Sequence, residues 1–80
     1  MERALARHVA VMTFGAGSQL ESLIHVLKGH CDETEYKTYL KAIASIIATA
    51  HRELLYRVYA AYPDLEAELT DSIQKYGRVL

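Results

Sequence analysis

Apolar residues recur along this chain in steps of three and four, and the longest such run is Asp32 to Ala61. Tyr36, Leu40, Ile43, Ile47, Ala50 and Leu54 share one face of an expected helix there, the spacing of a seam packed at a shallow angle against other helices. Ala44 and Ile46 flank the seam and widen it beyond what a two-stranded coiled coil needs. Asp32 with Glu35 has capping-box spacing, so the helix is expected to start there. The register breaks at Arg57: Leu55, Val58, Tyr59 and Tyr62 continue the apolar surface on a rotated face, and Pro63 ends the element.

Length gives this pattern its meaning. A helix over 32–61 would run about 45 Å, whereas a compact chain of this size has a radius of gyration near 12 Å. Either the molecule is elongated or a second copy covers the ends of the rod.

The first helix is expected over 2–28, with Leu5, Val9, Met12, Ala16, Leu20, Leu23 and Leu27 on one face. Gly15 and Gly17 each cost about 1 kcal/mol in a helix interior, and Ser18 with Glu21 repeats the capping-box spacing. The segment 15–18 is therefore either a break or a weak point in a continuous helix. The face that persists across it favours continuity, with Gly29 turning the chain. In the resulting hairpin Gly15, Ala16 and Gly17 would allow close backbone approach to Ala44–Ala50. A last helix is expected over 64–76, with Leu65, Leu69, Ile73 and Tyr76 on its buried face and Gly77 ending it. It would cover the surface of Tyr56, Tyr59 and Tyr62.

The expected fold is thus all-α: a single domain over 1–80, a long antiparallel helical hairpin plus a short C-terminal helix, and a four-helix bundle formed by a homodimer. Composition strengthens the expectation of self-association. Of 80 residues 51% are apolar, more than a domain this small hides easily.

Charge adds exclusions. Nine Lys and Arg balance ten Asp and Glu, with no basic block, so no nucleic-acid partner is expected. Asp64, Glu66, Glu68 and Asp71 read as a solvated face near a helix start. Cys31 is the only cysteine, which fits a reducing compartment. No targeting segment or bilayer-length apolar run is visible, so no membrane partner and a cytoplasmic location are expected.

Candidate chemistry is sparse. His25, His30, Cys31 and His51 are the possible metal donors, but no pair has zinc-ribbon spacing and no Glu-x-x-His motif occurs. No metal or cofactor is expected. Gly15-Ala16-Gly17-Ser18 lacks the Lys-Ser/Thr ending of a phosphate loop, and helix packing explains it better. No serine, cysteine or carboxylate pair forms an activated nucleophile or an acid/base couple.

The stretch His25-Val26-Leu27-Lys28-Gly29 resembles the His-x-Leu-Lys-Gly core of histidine phosphotransfer domains. The resemblance implies a helical bundle with His25 as phosphoacceptor, Lys28 offsetting phosphate charge, and Gly29 leaving room for a response regulator. The alternative is a helix-end His and Lys favoured by the dipole. Six tyrosines are the most unusual compositional feature. Tyr56, Tyr59 and Tyr62 suit either a partner surface or packing against the last helix. A third possibility places His51, Arg52 and the tyrosines around an interhelical ligand pocket or small active site. The leading expectation is a non-enzymatic, self-associating module whose seam residues form the interface and which offers a surface to another protein.

Overall fold

The computed structural model describes residues 1–77, which are all-helical, without strands. Helix α1 spans Arg3–Lys28 and α2 spans Glu33–Ala50; a π-helical turn at His51–Leu55 leads into α3, Tyr56–Ala61, and α4 follows at Pro63–Tyr76. The molecule is a rod, 45 × 26 × 15 Å, with a radius of gyration of 14.6 Å, against the roughly 12 Å of a compact chain this long. None of the described helices is long and apolar enough to cross a membrane.

Local chemistry accounts for the ends of the elements. Asp32 sits in extended conformation, and its Oδ1 accepts a hydrogen bond from the Glu35 amide at 2.8 Å, satisfying one of the free donors of the first turn. Pro63 opens α4 where its missing N–H costs nothing, after Tyr62 has left helical geometry. Gly77 closes α4 at φ 72°, its amide donating to the Ile73 carbonyl at 2.8 Å, a left-handed cap that glycine adopts without strain. The α1–α2 turn needs no such residue. Gly29 has φ −90°, and the amides of His30 and Cys31 both donate to the Leu27 carbonyl at 3.1 Å.

Helix α1 passes through Gly15 and Gly17 without a break. Ser18 is therefore mid-helix, where its carbonyl accepts from the Ser22 hydroxyl at 3.1 Å rather than its side chain capping a new element. Arg57 is not where the second rod changes phase. The π turn over His51–Leu55 is, because a wider turn carries an extra residue and rotates everything after it. That rotation delivers Leu55 and Val58 to the face where α4 packs.

The core lies at the open end of the hairpin, formed by Ala6, Ala10, Leu55, Val58, Leu65 and Leu69, all nearly inaccessible. Val9, Val11, Tyr59 and Tyr62 pack at its edge. The Tyr62 hydroxyl donates to the Met1 carbonyl, tying the start of the chain to the α3–α4 corner. Along α1 the buried positions are Ala6, Ala10, Thr13 and Gly17, one residue later than the face expected from Leu5, Val9, Met12 and Ala16. The reason is steric. Small side chains let α1 approach its neighbours closely, and the larger residues are displaced by about 100° round the helix.

Candidate interaction face and the groove beside His51

Stepping back one residue from several of the inward positions of the hairpin reaches a large apolar side chain. On α1 these are Leu5, Met12 and Leu23, before Ala6, Thr13 and Ile24; on the second rod they are Tyr39, Ile46 and Leu54, before Leu40, Ile47 and Leu55. In antiparallel helices a step back on either one turns to the same side of the pair, so these six residues share one face. Their exposures run from 42% at Leu23 to 60% at Met12. A contiguous apolar surface of this kind is a mark of an interaction site.

Stepping forward one residue reaches the opposite side, where α4 lies. Arg7, after Ala6, donates from Nε to Glu68 at 3.0 Å. Arg3, one turn earlier, reaches both Asp64 and Glu68. The acidic start of α4 is thus half engaged with α1 rather than wholly solvated. Hydrogen bonding from Arg3 holds the Asp64 carboxyl below its ordinary range, and Arg7, then Arg3, does the same for Glu68.

Beyond the end of α4 this second side carries an open groove of about 640 Å³, lined by Glu21, Ile24, Ala44, Ile47, Ala48, His51, Arg52 and Tyr56. His51 is half-buried, and a methyl group built on Gly17 would meet its Nε2 at 3.7 Å, an ordinary contact. Gly17 therefore faces His51 rather than Ala44–Ala50, while Gly15 has nothing within 4 Å and Ala16 is exposed. Arg52 donates to Glu53 at 3.3 Å and Arg57 to Glu53 at 2.8 Å. Those two bonds, Arg57 first, lower the Glu53 pKa, so Glu53 serves as a counter-ion and not as a partner of His51.

The structure distributes the other expected site residues as follows. Of the seam, Ile43 is buried, Tyr36, Leu40, Ile47 and Ala50 are half-buried, and Leu54 is exposed. Most of that stripe is consumed inside the chain against α1. His25 and Lys28 are both exposed at the end of α1. The tyrosines separate: Tyr56 is exposed, whereas Tyr59 and Tyr62 pack against the core beside α4. Burial, with Glu66 and Tyr56 adding smaller contributions, pushes the Tyr59 pKa up. Among the described residues no group of three His, Cys, Asp or Glu side chains converges as a metal site would require. Leu5 and Met12, like Tyr39 and Ile46, are seven residues apart, and that spacing is the signal in the sequence for an exposed face distinct from the seam that Ile46 flanks.

No family model, curated protein or solved structure matches this chain.

Proposed function

We propose that the chain acts by assembly: it is a self-associating helical module in which a second copy covers the face of Leu5, Met12, Leu23, Tyr39, Ile46 and Leu54 and completes a four-helix bundle. The observation that carries this reading is that six large apolar side chains from both rods stand exposed on one side, the side opposite α4. The face is about 32 Å long and about 20 Å wide, roughly 640 Å² per subunit, at the lower end of the roughly 600–1,000 Å² a stable protein interface uses on each partner. Glu53 borders the face beside Ile46 and Leu54, its charge offset by Arg52 and Arg57. The completed bundle would leave the groove of His51, Arg52 and Tyr56 open on its outer side as a surface for another protein.

Sedimentation equilibrium on the whole chain tests the reading, with Ile46→Lys as the variant. The expected result is a dimer at micromolar concentration that the variant converts to a helical monomer, since a lysine at the centre of a closed apolar interface is stranded without water. A wild-type chain that stays monomeric at high micromolar concentration would overturn it.

A second reading is favoured by one observation, the exposure of His25 one turn before Lys28. There the imidazole would take a phosphoryl group from an aspartyl phosphate on a receiver domain. Incubation with a phosphorylated receiver should then label the wild type and not His25→Gln. Equal labelling of both would end this reading.

A further inference from the structure

The apolar face carries its own register, and from it we infer the geometry of the dimer: two hairpins packed antiparallel, with the two-fold axis crossing the rod at the level of Ala16 and Ala50. This rests on the self-association proposed above and adds to it which residue meets which.

A methyl group on Gly17 would lie 3.7 Å from the His51 imidazole, which puts Gly17 and His51 at about one level of the hairpin and, one residue back on each rod, Ala16 and the half-buried Ala50 at the same level. From this narrow waist the larger side chains recede in matched steps. Met12 and Leu54 lie four residues away towards the open end, about 6 Å, and Ile46 lies four residues away towards the turn. Leu5 and Tyr39 lie eleven residues from the waist in opposite directions, about 16 Å. Small side chains at one level let two helices approach closely, and ridges on either side then interdigitate.

Two symmetric arrangements place alanine on alanine at the waist. With the hairpins parallel, α1 stacks on the partner's α2 and the turns lie together. The open-end layer then holds two copies of Leu5 and Ala61, and the turn-end layer two copies of Leu27 and Tyr39. One end is underfilled and the other crowded. With the hairpins antiparallel, α1 stacks on the second copy of α1, and each end layer combines Leu5 and Ala61 from one subunit with Leu27 and Tyr39 from the other. Both ends then carry the same volume, as native packing density demands. Both arrangements keep every neighbouring pair of helices antiparallel, so the dipoles do not separate them and the choice rests on the end layers.

Cysteine cross-linking on the full chain, with the native thiol removed by Cys31→Ser, tests this register. In the antiparallel dimer Ala16 lies next to its own copy, so Ala16→Cys should convert most of the protein to a disulfide-linked dimer on mild oxidation, within the roughly 4.4–6.8 Å Cα separation a disulfide tolerates. An equimolar mixture of Leu5→Cys and Leu27→Cys chains should give the linked heterodimer. If sedimentation shows a dimer in which Ala16→Cys alone stays unlinked, but a mixture of Ala16→Cys and Ala50→Cys chains links, the hairpins are parallel and this inference is wrong while self-association stands. A dimer in which neither links would overturn the register in both forms. A monomer throughout would overturn the self-association reading itself.

Discussion

The two sides of the hairpin are made by the same helices, two residues out of phase about the inward positions, and they differ in what covers them. Towards one side the inward Ala6 and Ala10 join Leu65 and Leu69 of α4 in one buried cluster, the two leucines 0% and 1% exposed. On the other, Met12 and Ile46 remain 60% and 54% exposed. A helix in a two-helix pair needs a narrow apolar stripe, whereas a helix with neighbours on two sides needs a broad one. Both rods are apolar over the broad arc, and within one chain only α4 uses it, at one end and on one side. The lesson is that on α1 large side chains do not mark the buried positions: those belong to alanine, threonine and glycine, and the large residues stand beside them.

The contrast can be broken most forcefully at its buried side. Leu65→Ala or Leu69→Ala should each cost about 2–5 kcal/mol, because a fully enclosed side chain leaves a cavity. Met12→Ala, measured in dilute solution where any dimer has dissociated, should stay within about 0.5 kcal/mol. Urea unfolding followed by circular dichroism reads both. A Leu65→Ala cost no greater than that of Met12→Ala would mean that α4 is not an integral part of the fold.

Concentration sharpens the same comparison. If a copy covers the exposed side, the melting temperature rises with protein concentration. Ile46→Lys should weaken association by roughly a hundredfold or more, about 2.8 kcal/mol, and flatten that dependence. A melting temperature that moves identically with concentration in wild type and variant would remove Ile46 from the interface.

A smaller effect is expected at Gly15, which belongs to neither side. Nothing lies within 4 Å of a methyl group added there, and its φ is an ordinary helical one. Gly15→Ala should therefore stabilise the chain by about 0.4–1 kcal/mol through helix propensity, with dimerisation unchanged. A loss of dimer would place a partner against Gly15 and move the interface off the face assigned to it.

Helical content was legible from periodicity, and the residues at the ends act as their chemistry suggests: Asp32 accepts from the Glu35 amide, Pro63 opens α4 and Gly77 closes it in the left-handed region. The face of α1 was not legible, since counting hydrophobic residues rewards Leu5 and Met12 while close packing rewards Ala6, Ala10 and Gly17. The π turn was legible only as a shift in apolar phase, displaced from His51–Leu55 to Arg57, because no residue type signals a wider turn as Pro signals an end. The groove at His51 joins α1 and α2 residues far apart in sequence, Glu21 and Ile24 with Ala44 to Tyr56. Pairing of that kind depends on the level at which two helices meet, which one helix pattern does not contain.

The smallest expected effect separates the sides by pH. Asp64 and Glu68 ionise more readily in the folded chain than in the unfolded one, held down by hydrogen bonds from Arg3 and Arg7. A depressed carboxylate pKa contributes stability that is complete above the unfolded value of about 4 and is lost as pH falls through the folded value. The groups are exposed, so the contribution is small, but its location is specific: acid should loosen α4 from α1 and leave the apolar face intact. Hydrogen exchange between pH 5 and pH 3 should show the amides of α4 losing protection before those of α2. In Arg3→Gln the order should persist with a smaller pH dependence, because Asp64 then returns towards its ordinary range while Arg7 still holds Glu68 at 3.0 Å. Simultaneous loss of protection in α2 and α4, unchanged by Arg3→Gln, would show that these ion pairs do not fasten one side of the hairpin independently of the other.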